Sequence, residues 1–266
     1  MTDSLNTSSP RREPIFRAPG VVVFIVVLIL IIYGVTQALD DSSQAWLLKS
    51  LAFIPVRLTI WLWPHTLARL LDRANADPSA IETAQLIRLF GANSGPQVWT
   101  LVTYAFLHGS WTHVGLNSIW LMAFGPPVAR RVGWGRFLAL FAAAAIAGAL
   151  AHWLLNMMDA QPIIGASASD SGMMGAATRF IFAPGEPLSG QPVRIALAPR
   201  PLTPLVLLLR ERRPLVFIVI WLGTNFIFGA GAMAFGLSEA PVAWVAHIGG
   251  FVFGLIAFPL FDVWRD

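Results

Sequence analysis

Long stretches without charged residues dominate the pattern of hydrophobic and polar positions along this chain. A helix needs about 20 predominantly apolar residues to cross a membrane, because the hydrocarbon core of a bilayer is about 30 Å thick. Five stretches satisfy this requirement when histidine is counted as neutral, and they predict five membrane-spanning helices. The first is too long for the core of a signal peptide, so we expect it to be retained. The five stretches are residues 18–39, 111–129, 137–158, 214–237 and 240–261.

A sixth span is predicted at residues 163–183, although this stretch contains Asp170. The distribution of basic residues decides between five and six spans, because short cytoplasmic loops are enriched in Lys and Arg. With six spans and a cytoplasmic N-terminus, most of the 18 basic residues lie on the cytoplasmic side, and the short outer loops around Asp159 and Glu239 contain none. With five spans, the basic stretch 179–213 would lie outside. We therefore predict six spans, with both termini in the cytoplasm.

The loop between the first two predicted spans, residues 40–97, has features of surface helices. It contains Trp46, Trp61 and Trp63, and its apolar runs are too short to cross a membrane. Tryptophan side chains prefer the headgroup region, so we expect helices that lie on the outer membrane surface. A disordered loop is the alternative.

The composition indicates that lipid surrounds much of the chain. Hydrophobic residues make up 56% of the sequence and charged residues 12%, whereas soluble domains carry about 25% charged residues. The basic isoelectric point, near 10.6, is attributed to membrane topology, so no nucleic-acid partner is expected. Cysteine is absent, which excludes disulfides and zinc–thiolate sites. The predicted fold is all-α and integral to the membrane: residues 1–17 form a cytoplasmic tail, and residues 18–266 form one six-helix domain with a long interfacial first outer loop.

Three clusters of polar residues lie inside the predicted spans, where a charge costs about 2.5–3.5 kcal/mol. His113 and Asn117 are four residues apart and share one face of the second span near its outer end. Ser167 follows Gly165 at the outer end of the fourth span, and His247 lies roughly 10 Å below the outer end of the last span. The topology was deduced from basic residues alone, yet it places all three clusters in the outer part of the membrane. We therefore predict that they form one site.

Small residues recur at every fourth position on the fourth and last predicted spans. Such stripes allow helix backbones to approach closely, and two facing stripes would bring Ser167 and His247 to the same contact. The alternative is that the stripes only pack helices. The residues are Ala168, Gly172 and Ala176 on the fourth span, and Ala246, Gly250 and Gly254 on the last.

The polar clusters contain the groups required for acyl transfer. A serine within hydrogen-bond reach of a histidine provides a nucleophile and a general base. Acyl transfer also needs donors for the developing oxyanion, and His113, Asn117 and the backbone N–H of Ser167 are candidates. No carboxylate lies within one turn of His247, so a Ser–His dyad is predicted rather than a triad.

The ordered set of these motifs resembles the rhomboid proteases. The resemblance covers the chain from about Trp99 to Asp262, and each motif alone is weak. The motifs are His113-x-x-x-Asn117, Gly165-Ala166-Ser167, Ala246-His247-x-Gly249-Gly250-x-x-x-Gly254, and the flanking Phe106-Leu107-His108-Gly109-Ser110-Trp111-Thr112-His113.

The resemblance implies a six-helix rhomboid-like bundle that acts as an intramembrane serine endopeptidase. It makes Ser167 the nucleophile and His247 the general base, while His113 and Asn117 serve the oxyanion hole. It implies that the substrate is a transmembrane helix cut near its outer end, and that no metal or cofactor takes part. The compact six-span form also leads us to expect a bacterial inner membrane protein.

Two positions depart from the pattern of this family. Ala168 stands where the family usually has glycine, and its methyl group would narrow the oxyanion region. Asp170 stands where the family usually has an apolar residue. Ser167-x-x-Asp170 has the spacing of a capping box, so Asp170 is interpreted as a helix cap; a role in tuning His247 or Ser167 is the alternative.

Other polar residues in or near the spans have structural interpretations. We expect His152 to be packed inside the bundle and His108 to belong to the architecture of its loop. Ser169 and Ser171 are rival nucleophiles, but serines in membrane helices commonly bond back to the preceding turn.

Two further functions compete with proteolysis. The first is a catalytically inactive rhomboid-like protein that binds transmembrane helices, which Ala168 and Asp170 mildly favour. The second is a transporter with a proton relay, but its expected signature of repeated, broken helices in two matching halves is not seen in the sequence.

Overall fold

The computed structural model describes residues 18–76, 85, 87, 95–182, 201–231 and 243–262. The predicted tail 1–17, part of the long outer loop and the ends of three predicted spans lie outside these residues. The helices are α1 Gly20–Gln37, α2 Asp41–Leu51, α3 Pro55–Leu62, α4 His65–Ala76, α5 Thr100–Thr103, α6 Trp111–Val132, α7 Trp134–Leu155, α8 Ser167–Ile181, α9 Leu205–Arg210, α10 Arg212–Gly231 and α11 Trp244–Ala257, with 3-10 turns at Tyr104–Phe106 and Phe258–Leu260.

The all-helical prediction is confirmed for the described part of the chain, where no strand is present. Each predicted span overlaps one of the helices α1, α6, α7, α8, α10 and α11. Two of them, α1 and α7, are long and apolar enough by themselves to cross a membrane. The arrangement with six spans therefore stays a prediction.

The fourth predicted span begins later than the sequence suggested. Ile163 forms an isolated antiparallel bridge with Phe53, and Gly165 adopts a φ of +114°. Neither conformation is helical, so α8 starts only at Ser167.

The long outer loop is helical over α2, α3 and α4, and the disordered alternative is wrong for this part. Thr59 connects the loop to the outer end of the bundle, because its Oγ1 donates to the carbonyl of Met157 at 2.6 Å and accepts from Trp153 Nε1 at 2.8 Å. Trp46, Trp61 and Trp63 are exposed. Their location at the membrane surface remains a prediction.

Helix α8 lies at the centre of the bundle, and every residue from Ala168 to Phe180 is buried. Except for Asp170, its buried polar side chains have hydrogen-bond partners inside the protein. Ser169 Oγ donates to the carbonyl of Phe141 on α7 at 2.9 Å, and Thr178 Oγ1 donates to its own helix. Arg179 donates to the carbonyls of Thr203 and Leu255 at 3.0 and 2.8 Å. Protein rather than lipid surrounds this helix, which explains why hydropathy alone detects it poorly.

The predicted stripes of small residues face each other. A Cβ atom at Gly250 on α11 would collide with the carbonyl oxygen of Ala168 on α8, and one at Gly254 would collide with that of Gly172. Gly148 extends the contact to α7, since a Cβ atom there would lie 2.6 Å from Ala168 Cβ and 2.7 Å from the carbonyl oxygen of Ala246. The three helices therefore touch through their backbones.

The end of the bundle opposite the long outer loop contains a buried ion pair. Arg131, at the end of α6, makes two hydrogen bonds of 2.7 Å to the carboxylate of Asp262. The Arg131 guanidinium also lies over the Phe180 ring, 4.8 Å from its centroid. This pair joins the end of α6 to the segment that follows α11.

The contact between α8 and α11 predicts the effect of one added methyl group. Gly254→Ala places a Cβ atom against the carbonyl oxygen of Gly172. Because overpacking of this kind is costly, we expect a loss of about 2 kcal/mol in the free energy of unfolding in mixed detergent micelles. Gly223→Ala on α10 is the matched control, since no atom lies within 4 Å of its added methyl group. Equal stability of the two variants would contradict the described packing.

Candidate active site

Ser167 is the first residue of α8 and follows a sharp change of chain direction. The preceding Gly165 has a φ of +114°, which only glycine adopts readily, and its N–H donates to the carbonyl of Tyr104 at 3.0 Å. Ala166 occupies the N-cap position, and no side chain caps this helix end. The Ser167 hydroxyl is therefore not used as a cap. Ser167 is half-buried and lies at the positive end of the helix dipole.

His113 and Asn117 on α6 lie against the backbone that precedes Ser167. A Cβ atom at Gly165 would be 2.5 Å from His113 Nε2 and 3.6 Å from Asn117 Nδ2. Asn117 Nδ2 is buried and has no hydrogen-bond partner among the described residues. Because a buried unpaired donor is costly, this amide is suited to bind an acceptor that enters the site.

The start of α6 and the loop before it hold His113 in position. Ser110 caps α6 by accepting a hydrogen bond of 3.0 Å from the His113 N–H. The His108 ring packs edge-on against the His113 ring, with centroids 5.0 Å apart. Burial in the loop lowers the pKa of His108 to about 3, so this ring is neutral at physiological pH. His108 thus lies in the loop before α6, as the sequence predicted, and packs against His113 on the helix.

The residues next to Ser167 and His247 meet at one point of α7. Ala168 follows Ser167, Ala246 precedes His247, and both pack on Gly148. The two predicted catalytic residues therefore lie on adjacent helices at the same level of the bundle. The Ala168 methyl group lies against Gly148, which provides space for it. That this methyl group narrows the oxyanion region remains a prediction.

His247 has a hydrogen-bond partner that the sequence analysis missed. Its Nδ1 lies 2.7 Å from Asn225 Oδ1 on α10. Asn225 is a polar residue in the predicted span 214–237. Because polar groups are costly inside a membrane, its presence there could have marked it as a candidate functional residue. Its pairing with His247 depends on how α10 packs, which the residue pattern does not contain.

Asp170 is not a helix cap, and that interpretation was wrong. The N-cap is Ala166, and Asp170 lies one turn inside α8, where its backbone N–H donates to the carbonyl of Ala166 at 2.9 Å. Its side chain is buried, and neither carboxylate oxygen has a hydrogen-bond partner among the described residues. A direct hydrogen bond to Ser167 or His247 is therefore absent, and an indirect influence on them remains a prediction.

The rival serines are used in hydrogen bonds that hold α8. Ser169 Oγ donates to α7 as described above, and Ser171 Oγ donates to the carbonyl of Ser167 at 2.7 Å, one turn back. His152 is buried on α7, with its Nε2 3.5 Å from Asp159 Oδ2. Ser171 thus bonds back to the preceding turn and His152 is packed inside the bundle, as expected, whereas Ser169 bonds to α7 and not to its own helix.

A family model described as the Rhomboid domain matches residues 95–262. This range is more than half of the chain and contains every candidate site residue. The chain therefore belongs to the rhomboid family, whose members are integral membrane proteins, and the resemblance noted in its motifs is confirmed.

Several curated relatives are named as rhomboid proteases. The chain is 28% identical to rhomboid protease GlpG of Serratia proteamaculans over 160 residues, which is 60% of this chain and 47% of that protein. It is 32% identical to putative rhomboid protease YdcA of Bacillus subtilis over 77 residues, 29% of this chain and 38% of that protein. Rhomboid protease GluP of the same organism is 36% identical over 78 residues, 29% of this chain and 15% of that protein. The chain spans less than half the length of each of these relatives.

Gly165 provides a test of the arrangement around Ser167. Gly165→Ala places a methyl group against His113 Nε2 and strains a backbone with φ of +114°. If His113 and Asn117 supply oxyanion donors, their displacement should slow the reaction of Ser167 with a fluorophosphonate about 100-fold. Gly109→Ala is the control, because its added methyl group would make an ordinary contact of 3.6 Å with Ile164. Equal labelling rates for the two folded variants would contradict this arrangement.

Proposed function

We propose that this chain is an intramembrane serine endopeptidase that hydrolyses peptide bonds in or near transmembrane helices of membrane proteins. The observation that carries the proposal is the convergence of Ser167, His247, His113 and Asn117 from three helices. The buried Asn117 amide has no acceptor among the described residues. The names of the curated relatives support the same reaction class.

The proposed reaction uses a dyad. His247 Nε2 accepts the proton of the Ser167 hydroxyl while Ser167 Oγ attacks the substrate carbonyl carbon. The oxyanion receives hydrogen bonds from the Ser167 N–H and from the side chains of His113 and Asn117. His247 then gives its proton to the leaving amine. The same histidine then takes a proton from a water molecule, which attacks the acyl carbon, and returns this proton to Ser167 Oγ as the acid product leaves.

The proposed topology has six spans, with both termini in the cytoplasm of a bacterium and the bundle in its inner membrane. The basic residues support this orientation. In that orientation the start of α8 and the start of α6 both face the outer side, together with the helices of the long loop. A substrate helix would thus be cut near its outer end, where small residues loosen it.

The second candidate is a catalytically inactive member of the family that binds transmembrane helices. The buried Asp170 carboxylate, without a partner among the described residues, is the observation that favours it. If this carboxyl group is ionised, it adds negative charge close to the start of α8, where an oxyanion must be stabilised.

Labelling with a fluorophosphonate probe in native membranes tests the proposal without knowledge of the substrate. We expect the wild-type protein to be labelled, because a serine activated by a histidine attacks the probe. Ser167→Ala and His247→Ala should both lose the label. Ser171→Ala is the matched control and should keep it, since its hydroxyl only bonds back to Ser167 O.

The outcomes separate the candidate functions. Label retained in Ser167→Ala would show that another serine reacts. A folded wild-type protein without label, together with labelling of Asp170→Ala, would show that the native protein is inactive and identify Asp170 as the inhibitory group.

A further inference from the structure

The hydrogen bond between Asn225 and His247 connects α10 to α11, although the proposed dyad uses no residue of α10. Asn225 lies on α10 and His247 on α11, and the distance between Oδ1 and Nδ1 is 2.7 Å. This is within the range of a strong hydrogen bond between an amide oxygen and an imidazole nitrogen.

The amide of Asn225 is itself held in one orientation. Its Nδ2 donates to the carbonyl of Trp221 one turn earlier, at 2.9 Å. An amide nitrogen can only donate, so this bond leaves Oδ1 as the atom that faces His247. The oxygen is an acceptor, so this contact is a hydrogen bond when His247 carries a proton on Nδ1.

An aromatic contact sets the register between the two helices. The Trp221 and Phe251 rings stack with centroids 4.2 Å apart. Trp221 lies four residues before Asn225, and Phe251 lies four residues after His247. The polar pair and the aromatic pair are thus one turn apart on antiparallel helices, so packing supports the geometry of the hydrogen bond.

A dyad needs this kind of control over its histidine. A neutral imidazole exists as two tautomers, and only the one with the proton on Nδ1 leaves the Nε2 lone pair free to accept the serine proton. In a triad a carboxylate orients the histidine. A charged group at this depth of a membrane is costly, whereas a neutral amide provides the same acceptor without a charge.

We propose that Asn225 is a positioning residue, which holds His247 as the Nδ1–H tautomer so that Nε2 faces Ser167. The inference rests on the proposed function, because it assigns to Asn225 a role in the reaction of that same site. Asn225 does not touch the substrate; it acts through His247.

The rate of fluorophosphonate labelling, measured as a function of pH, tests the proposal. We expect Asn225→Ala to react at least about 10-fold more slowly than the wild type, which is the size of effect that such supporting hydrogen bonds have elsewhere. Asn225→Asp should regain most of the rate, because its carboxylate accepts the same hydrogen bond. On acidification, the activity of Asn225→Asp should be lost at a higher pH than that of the wild type. The reason is that the carboxylate stabilises the protonated imidazole of His247.

Thr224→Ala is the matched control, because it removes an exposed polar side chain from the neighbouring position of α10 and should leave rate and pH profile unchanged. Among the described residues, His113 and His152 are the titratable groups that act electrostatically on His247, and all of these variants retain them. Differences between the pH profiles therefore report on position 225.

A second measurement observes the tautomer directly. Nitrogen NMR of protein labelled in its histidines, with the His247 signals assigned by comparison with His247→Ala, should show the proton on Nδ1 in the wild type. In Asn225→Ala this preference should be lost. A wild-type proton on Nε2 would overturn the proposal whatever the labelling rates are.

The labelling outcomes distinguish this proposal from the proposed function. If the wild type reacts and Asn225→Ala matches it in rate and pH profile, the positioning role is wrong and the dyad stands. If Asn225→Asp is as slow as Asn225→Ala and both unfold more easily than Thr224→Ala, Asn225 only packs helices, and the proposal is overturned. If the wild type does not react, the proposed function fails and the positioning role fails with it.

Discussion

The backbones of α8 and α11 approach so closely that a Cβ atom at Gly250 or Gly254 would collide with carbonyl oxygens of α8. The rest of the site depends on this contact. It sets the position of Ser167 relative to His247 along the bundle axis. Gly148 on α7 contacts the neighbours of both residues, Ala168 and Ala246, at the same height. Without a hydrophobic driving force between helices in lipid, close packing of small residues is a main source of helix association. The same residues that stabilise the bundle therefore also determine the geometry of the candidate active site.

Polar groups in the bundle follow one physical constraint, because each buried donor or acceptor needs a partner in a medium without water. Ser169, Ser171 and Arg179 satisfy this constraint with backbone carbonyls. Asn117 Nδ2, the Asp170 carboxyl group and the ring nitrogens of His108 and His152 do not satisfy it among the described residues. Asn117 is a donor beside Ser167 and supports catalysis, whereas Asp170 is the strongest argument for an inactive protein. These two residues make opposite predictions, so experiments on them are decisive.

Much of the fold was predictable, because long apolar stretches and small residues at every fourth position are properties of the sequence itself. The candidate site was predictable for a related reason, since His113, Asn117, Ser167 and His247 are polar residues where lipid makes them costly. The cap at Asp170 was wrong because the turn at Gly165 makes Ala166 the N-cap, which spacing alone does not reveal. The partner of His247 was missed because it comes from another helix, and the register between helices depends on packing in three dimensions.

Cleavage of a membrane-embedded substrate tests the central claim most directly. The wild-type protein and Ser167→Ala would be reconstituted in vesicles with a panel of single-span model helices that carry small residues near their outer ends. Mass spectrometry of the products locates the cut. The account predicts two fragments separated near the outer end of the helix with the wild type, and intact helices with Ser167→Ala. Fragments that form equally with Ser167→Ala, or helices that stay intact with a folded and fluorophosphonate-reactive wild type, would contradict it.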